Sequence, residues 1–234
     1  MIFRQFFDQD TYTYTYLLGC KSSRKAILID SVVNEVDCYL QTLNQLNLTL
    51  VYTLETHIHA DHVTASGLLR DKLGSKSIVH RDAGAMCADI LVTDGVELQL
   101  GEINIRVLHT PGHTNGCISF LIDDRLFTGD SLLINSCGRT DFQQGDSSTL
   151  FHSIKEKLFK LPGDTLVYPG HDYQGQRIST IAQEKQLNPR VGDNVNLQDF
   201  IQIMGNLNLT YPKNIDQALP ANQVCGQTAI VRQG

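Results

Sequence analysis

The sequence predicts a layered α/β (α+β) fold, with many strands and fewer helices between them. Two patterns indicate strands: threonine and tyrosine alternate over 11–18, and short apolar runs occupy 25–30 and 48–54. A third pattern, apolar residues at helical spacing over 33–43, indicates an amphipathic helix between two of these strands. Strands and helices that alternate in this way favour a body of stacked layers, completed by a partly helical tail.

Turn and capping residues divide the rest of the chain into further elements. Thr64 and Asn196 are residue types that cap the N-termini of helices, whereas Gly74 and Gly205 are typical of helix ends. The predicted helices are 33–43, 64–74, 148–160, 177–186 and 197–204. The predicted strands are 11–18, 25–30, 48–54, 77–80, two strands within 96–108, 117–122, 125–128 and 165–168. We expect residues 1–234 to form a single domain, with 175–234 as a C-terminal extension packed on it.

Composition and charge exclude several classes of function. Hydrophobic residues make up 41% of the 234 residues and charged residues 19%, as in ordinary globular proteins. The net charge is −6 without a basic block, which argues against nucleic acid or an anionic membrane surface as a partner. No apolar run approaches the length of a membrane span, so no association with a membrane is expected.

The N-terminal residues and the cysteines predict where the protein works. Residues 1–5 lack the charged, apolar and small-residue sections of a secretory signal, which favours a cytoplasmic location. The six cysteines are scattered, without a close pair of the kind that binds zinc or carries out redox chemistry. We therefore expect all six to be reduced thiols, most of them buried. They are Cys20, Cys38, Cys87, Cys117, Cys137 and Cys225.

The densest cluster of metal-binding side chains lies directly after the third predicted strand. Residues 56–62 read Thr-His-Ile-His-Ala-Asp-His, which places three imidazoles and a carboxylate within six residues. In extended chain, residues two apart point to the same side, so His57 and His59 are expected to face one metal ion. The chain then bends into a helix, which turns Asp61 and His62 toward a second metal. A surface cluster without a ligand is the alternative, but such a density of histidine has no packing purpose.

Three further loops carry metal-competent side chains at strand ends. His113 and His171 each follow a Pro-Gly turn, and Asp130 follows a glycine. Each piece alone is usually an ordinary turn, yet together with the first cluster they supply ligands for two adjacent metals. The remaining histidines are expected to have structural or surface roles: His80, His109 and His152. Of these, His109 is the best placed to support a metal ligand through a hydrogen bond.

This ligand set, in this order, resembles the motif set of the metallo-β-lactamase superfamily. Within that superfamily, the segments 127–145 and 168–173 resemble the persulfide dioxygenase branch. Segments of the tail agree with that branch: 188–190, 203–209 and 220–222. The resemblance extends from Phe3 to Cys225.

The resemblance implies a four-layered αββα sandwich with a short, partly helical C-terminal extension. In that branch a single Fe(II) is held by residues that match His57, His113 and Asp130, which leaves neighbouring coordination positions open for a substrate sulfur and O₂. Four other residues would then orient ligands and water, or hold a second metal: His59, Asp61, His62 and His171. The expected reaction is the oxidation of glutathione persulfide by O₂ to sulfite and glutathione, with a homodimer as an oligomeric state to test.

Recognition of glutathione, which carries two carboxylates, calls for cations or directed N–H groups. Arg139 is the first candidate, because its planar guanidinium can bind a carboxylate through two hydrogen bonds. A structural salt bridge to Asp141 is an equally good interpretation of that arginine. Tyr173 offers a hydroxyl group and Lys213 a further cation, although a lone lysine is more often a solvated surface charge.

A hydrolase is the alternative function. Spacing alone predicts a dinuclear site with Asp130 as a bridging ligand, as expected of a glyoxalase II-like hydroxyacylglutathione hydrolase that uses a metal-activated hydroxide. That alternative also predicts a basic helical tail. The chain has few cations after His171, which argues against such a tail: Arg177, Lys185, Arg190, Lys213 and Arg232.

Overall fold

A computed structural model describes residues 1–227 as two six-stranded sheets with helices outside them, which confirms the predicted α/β class. The strands are β1 Ile2–Asp8, β2 Thr13–Gly19, β3 Lys25–Ile29, β4 Thr49–Leu54, β5 Lys76–His80, β6 Ile90–Val92, β7 Glu97–Leu100, β8 Ile103–His109, β9 Ile118–Ile122, β10 Arg125–Gly129, β11 Leu166–Pro169 and β12 Ser179–Thr180. The helices are α1 Val36–Gln45, α2 Ser66–Leu73, α3 Ser147–His152, α4 Ile181–Leu187, α5 Leu197–Gly205 and α6 Ile215–Gln223. Among the described residues, none of these helices has the length and apolar character needed to cross a membrane.

The two sheets are each built from strands in sequence order. In the first sheet, β1 to β3 are antiparallel, whereas β3 to β6 run parallel. In the second sheet, β7 to β10 are antiparallel and β10 pairs in parallel with β11. Parallel strands bring their carboxyl ends to one edge of a sheet, and the loops that follow these ends are the usual place for a ligand site.

The main core lies between the two sheets. Alternation along β2 and β3 sends Tyr16, Ile27 and Ile29 to the inner face, where they join Phe120 and Phe127 of the second sheet. All five are at most 1% exposed, and burial of each such side chain stabilises the fold by about 1.5–3 kcal/mol. This shared core fixes the position of one sheet, and of the loops at its edge, relative to the other.

The outer faces of the sheets are covered by helices. Leu17 and Leu28, which alternate with the inner residues, pack with Tyr39 of α1 and Leu69 of α2. On the far side of the second sheet, a separate core joins β8, β10 and β11 to α3, α4 and α5. The order of layers is therefore helix, sheet, sheet, helix, and the αββα sandwich implied by the resemblance is confirmed.

The tail after residue 175 differs from the prediction in two places. The helix with Asn196 as its cap is confirmed, since the Asn196 side chain accepts a hydrogen bond from the Asp199 N–H at 3.0 Å. The helix predicted over 177–186 begins later, after β12, with Thr180 as its cap. Helix α6 was not predicted, because Pro220 lies inside it and proline argues against a helix interior. Residues 228–234 of the predicted extension lie outside the described part of the chain.

Two predicted helix boundaries were wrong. Thr64 is not the cap of α2, which begins at Ser66; its hydroxyl instead donates to the buried carboxylate of Glu55 at 2.6 Å. The helix predicted over 148–160 is regular only to His152, and a π turn and a 3₁₀ turn follow it. Buried side chains recur there every four residues, at 150, 154 and 158. With about 3.6 residues per turn, an α-helix would rotate side chains four residues apart away from one face. The wider π turn keeps these three side chains on the same face.

The predicted state of the cysteines was also wrong for one pair. Cys87 and Cys225 form a disulfide, 138 residues apart in sequence. Because the spacing of cysteines reveals only local pairs, this pairing depends on how α6 packs back against the loop before β6. The other four cysteines are free thiols, and Cys38 is the exposed one among them.

Candidate metal centre

The metal-competent side chains lie at the ends of four strands. His57 follows β4 of the first sheet, whereas His113, Asp130 and His171 follow β8, β10 and β11 of the second. Gly129 has a φ of 50° and a Cβ there would lie 2.3 Å from the hydroxyl oxygen of Thr56, so only glycine fits where the two loops meet. The strand ends thus bring one ligand from the first sheet against three side chains from the second.

His57, His113 and Asp130 form the first group, whose ligand atoms all lie within 4.8 Å of one another. Hydrogen bonds fix which ring nitrogen of each histidine carries the proton. Nδ1 of His113 lies 2.6 Å from the carbonyl oxygen of Arg139 and must donate to it. Nδ1 of His57 lies 3.0 Å from the Thr56 hydroxyl, which itself donates to Asp30 and so accepts from the ring. Nε2 of both rings is therefore left with its lone pair for a metal.

Charge favours the metal-binding state of this first group. Burial lowers the pKa of His57 well below 6.5, and the neighbouring His59 and His113 lower it further. His57 is accordingly a neutral imidazole, the state that binds a metal. Although burial acts to raise the pKa of Asp130, the nearby His171, His113 and His57 hold that pKa well below its usual range. The group thus presents the neutral imidazole of His57, the imidazole of His113 whose Nδ1 is bound by the Arg139 carbonyl, and one carboxylate.

His59, Asp61 and His62 form a second group beside the first. His59 and His62 are buried, and Nδ1 of His59 and Nε2 of His62 have no hydrogen-bond partner within residues 1–227. Oδ2 of Asp61 is already shared, since Thr13, His62 and His171 lie within 3.0 Å of it. The second group also has ligand atoms for a metal, but its carboxylate is held by neighbouring residues.

Two buried carboxylates stand behind His59. Nε2 of its ring lies 3.1 Å from Oδ1 of Asp30 and 3.2 Å from Oε2 of Glu55. Burial acts to lower the pKa of His59, but Asp30 and Glu55 outweigh burial and raise that pKa well above 6.5. Nε2 of His59 is therefore the ring nitrogen that donates to these carboxylates, and Nδ1 is the nitrogen turned toward Asp61, 4.0 Å from its Oδ1.

His171 connects the two groups. Its Nδ1 lies 2.7 Å from Asp130 and its Nε2 lies 3.0 Å from Asp61, so both ring nitrogens face carboxylates. Burial acts to lower the pKa of His171, but these two carboxylates raise it well above 6.5. His171 is thus a cation that orients one carboxylate of each group. Thr13, which hydrogen-bonds to Asp61, adds a second contact that the sequence did not point to.

The structure assigns the histidines of the 56–62 cluster to different groups from those that the alternation of residues predicted. His57 and His59 were expected to face one metal, but His57 joins the first group and His59 the second. The reason is that β4 ends at Leu54, so the chain at these histidines is not extended. His109 also differs from expectation: its ring stacks on His80 and lies 3.0 Å from the Asn115 carbonyl, away from the metal ligands.

Asp30 and Glu55 were missed by sequence reasoning. Asp30 follows directly after β3, and Glu55 follows directly after β4, so both obey the rule that identified Asp130. An acidic residue at the end of a buried strand was therefore a usable signal. Asn222, whose side chain binds the backbone of the second group, carried no comparable signal.

A cleft of about 480 Å³ opens over the first group. His57, His113 and Asp130 line it, whereas His59 and His62 do not. The three residues predicted to bind substrate also line it, together with an arginine that was not predicted: Arg139, Tyr173, Lys213 and Arg190.

Arg139 is held by neighbouring groups at the rim of this cleft. Its guanidinium pairs with both carboxylate oxygens of Asp141 at 2.6 Å and donates to the Thr210 carbonyl at 2.8 Å. Its cationic group also lies 4.6 Å from the centre of the Phe142 ring. The salt bridge that was the alternative interpretation is therefore present, and it orients the arginine beside the cleft.

A family model described as the metallo-beta-lactamase superfamily matches residues 9–171. The mitochondrial persulfide dioxygenase ETHE1 of Homo sapiens is 48% identical over 229 residues, which cover 97% of this chain and 89% of the human protein. The crystal structure of ETHE1 from Myxococcus xanthus has a TM-score of 0.95 and 51% identity, over 97% of this chain and 100% of the other. A hydroxyacylglutathione hydrolase of Brucella ovis is less similar, at 36% identity over 66% of this chain and 64% of that protein.

Proposed function

The chain belongs to the persulfide dioxygenase family within the metallo-β-lactamase superfamily, and we propose that it oxidises glutathione persulfide with O₂ to sulfite and glutathione. The proposal includes one Fe(II) per chain, held by His57, His113 and Asp130. The observation that carries it is the first group itself: two imidazole nitrogens and a carboxylate within 4.8 Å, at the base of an open cleft.

The donor set fits the proposed iron. Two histidines and one carboxylate are the set that non-haem Fe(II) oxygenases use, and Fe(II) held by His57, His113 and Asp130 would bring a substrate sulfur and O₂ together for oxygen transfer. The second group supports one metal rather than two, since Oδ2 of its carboxylate, Asp61, is already bound by Thr13, His62 and His171. His59, Asp61, His62 and His171 are proposed to orient the ligands through hydrogen bonds.

Residues around the first group orient its metal-binding side chains. The Arg139 carbonyl accepts from Nδ1 of His113, and the Thr56 hydroxyl accepts from Nδ1 of His57, so Nε2 of each ring is the nitrogen available to the metal. His171, as an imidazolium 2.7 Å from Asp130, fixes that carboxylate and places a proton donor at the cleft wall. These contacts hold the side chains of the first group in place while the anionic persulfide binds.

Substrate binding is proposed for the polar residues that line the cleft. Arg139, already oriented by Asp141, offers donors to a glutathione carboxylate. Lys213, in the segment before α6, offers a second cation to the other carboxylate. Tyr173 lies beside His171, with ring centres 6.1 Å apart, and offers its hydroxyl at the mouth of the cleft.

Several finer points belong to the same proposal. We propose a single domain over 1–234, no nucleic-acid or membrane partner, and a homodimer as the assembly to test. The cytoplasmic location stays a prediction, because the human relative is named as a mitochondrial protein. The hydrolase alternative is less favoured, since the Brucella ovis hydrolase matches two thirds of the chain, against 97% for the human persulfide dioxygenase.

Metal analysis of the purified protein, together with reconstitution of the metal-depleted protein, tests the proposal. We expect about one iron per chain, the stoichiometry of a mononuclear site, and persulfide oxidation restored by Fe(II) but not by Zn(II). Two zinc ions per chain in the active protein, with hydrolysis of a glutathione thioester, would contradict the proposal and favour the hydrolase.

A further inference from the structure

Helix α6 is tied at both ends to the loop that carries the second group. At its start, the Asn214 side chain donates to the Asp61 carbonyl at 2.6 Å. At its end, the buried Asn222 side chain donates to the carbonyls of His59 and His62, both at 2.8 Å, and accepts from the Thr64 N–H at 2.9 Å. One tail helix therefore holds the backbone of the metal-binding loop at four points.

The disulfide closes directly after this helix. Cys225 lies three residues beyond Asn222, and its bond to Cys87 joins the end of α6 to the loop before β6. The same junction includes hydrogen bonds from Met86 N–H to the Gln223 carbonyl and from Gly67 N–H to the Cys225 carbonyl. The covalent bond thus fixes the end of the helix that carries Asn222.

The two sulfur atoms differ in accessibility. Cys225 is 3% exposed, whereas Cys87 is only half-buried. Cys225 and Asn222 also line a small buried cavity together with the inner sides of His57 and His59. Cys87 is therefore the more open half of the disulfide, whereas Cys225 lies on the side of the metal-binding loop.

We infer that Cys87–Cys225 is a site of exchange with small-molecule thiols such as glutathione, and that its opening loosens the hold of α6 on the metal loop. The inference rests on the proposed metal site for its effect, but the exchange itself does not depend on it. Glutathione is a product of the proposed reaction, so accumulation of product would weaken the centre that makes it.

The exchange balances with two glutathione molecules. The thiolate of the first attacks Sγ of Cys87, the Cys87–Cys225 bond breaks, and Cys225 leaves as a thiolate that takes up the proton lost by glutathione. The second glutathione attacks the glutathione sulfur of the mixed disulfide and releases Cys87 as a thiol. Two protein thiols and one glutathione disulfide result, and glutathione disulfide reverses the sequence.

The first test measures the disulfide alone. Protein purified without reductant is equilibrated in buffers of defined glutathione to glutathione disulfide ratio, quenched with acid, unfolded so that the buried cysteines react, alkylated, and analysed by peptide mass. We expect four alkylated cysteines at the oxidising end and six at the reducing end, with Cys87 and Cys225 changing together. Six reactive thiols in every buffer, or four in every buffer, would overturn the inference whether or not the protein binds iron.

The second test measures the effect on the loop. We compare transfer of iron to an Fe(II) chelator, and hydrogen exchange of the Thr64 amide, between oxidised and reduced protein. Reduction, like Cys87→Ser, is expected to speed iron transfer about tenfold, as for loss of support to metal ligands, and to speed exchange at Thr64. Cys38→Ser, which removes an exposed free thiol, should behave as the unchanged protein.

Two outcomes separate this inference from the proposed function. If Cys87→Ser releases iron and exchanges the Thr64 amide as slowly as the oxidised protein, the disulfide does not hold the loop and the inference is wrong. If the protein binds no iron, the proposed function fails, while amide exchange at Thr64 still decides whether opening of the disulfide loosens the loop.

Discussion

The two groups of metal-competent side chains use the same kinds of residue and differ in what stands behind them. Behind His57 and His113 are a hydroxyl group and a backbone carbonyl, which bind Nδ1 of each ring, so that Nε2 is the nitrogen available to a metal. Behind His59 are two carboxylates, and the Asp61 carboxylate beside it is already bound by three neighbouring side chains. The two groups therefore differ in the residues behind their ligands rather than in the ligands, and we expect this difference to decide which group holds the metal.

The largest effect is expected from loss of a ligand in the first group. Asp130→Ala should remove the bound iron, because a site with only three protein ligands cannot lose one. Persulfide oxidation should fall by more than about 100-fold, the upper end of the effect of losing a residue that only supports a metal ligand. Metal content and oxygen uptake measure both. Asp124→Ala, which alters an exposed aspartate in the β9–β10 turn, is the control and should leave both unchanged. Retention of iron by Asp130→Ala would show that the first group does not hold the metal and would remove the proposed difference between the two groups.

The second group and His171 should show a smaller effect of a different kind. His59→Ala and His171→Ala should retain most of the iron, with activity lowered about 10- to 100-fold, because they orient ligands rather than bind metal. His152→Ala, at an exposed histidine on the end of α3, should match the unchanged protein. Complete loss of iron in His59→Ala would show that the second group is a metal site.

A still smaller effect is expected at the rim of the cleft. If Arg139 binds a carboxylate of the substrate, Arg139→Ala should raise KM about 10- to 100-fold, the equivalent of about 1.5–3 kcal/mol for a hydrogen bond to a charged group. Iron content should stay normal, because the contact to His113 is made by the backbone carbonyl. Arg139→Lys should restore KM in part, since a lysine lacks the planar fork.

Two variants control this prediction. Arg125→Ala removes a half-buried arginine that pairs with Asp124 at the start of β10 and does not line the cleft, so it should leave KM unchanged. Asp141→Asn releases the Arg139 guanidinium from its partner and should change KM only if the arginine binds substrate. Unchanged KM in Arg139→Ala, Arg139→Lys and Asp141→Asn would limit Arg139 to its salt bridge.

Part of this comparison was predictable from sequence. His113, Asp130 and His171 were identified because each follows a strand and a glycine, a local pattern that the fold preserves. Membership of the two groups was not predictable from spacing, since it depends on how the chain bends after Leu54. The carboxylate of Asp30 reaches His59 only through the parallel pairing of β3 with β4, which is a contact between distant residues.

The elements and contacts that the sequence did not predict also lack a local pattern. The elements with strong alternation or caps were predicted, whereas β1, whose burial alternates weakly, and α6, which contains Pro220, were not. Cys87 and Cys225 carry no local pattern that joins them across 138 residues. Contacts between distant segments were thus the part that needed the structure.

The smallest effect is expected from a histidine outside both groups. Burial and the neighbouring His109 lower the pKa of His80 from 6.5 to about 4. Between these values the unfolded chain binds a proton that the folded chain does not, so stability is present above pH 6.5 and is lost as the pH falls toward 4. His80→Gln should flatten the dependence of the unfolding free energy on pH in this window. An unchanged slope would show that other groups cause it.

The most direct test of the central claim, one iron in the first group and oxygen as co-substrate, measures oxygen uptake and product together. With glutathione persulfide, the reconstituted protein should consume O₂ and form sulfite in equal amounts, and should stop when oxygen is removed. With S-lactoylglutathione under nitrogen, little or no free thiol should appear. Rapid anaerobic hydrolysis of that thioester, with no oxygen uptake on the persulfide, would contradict the account.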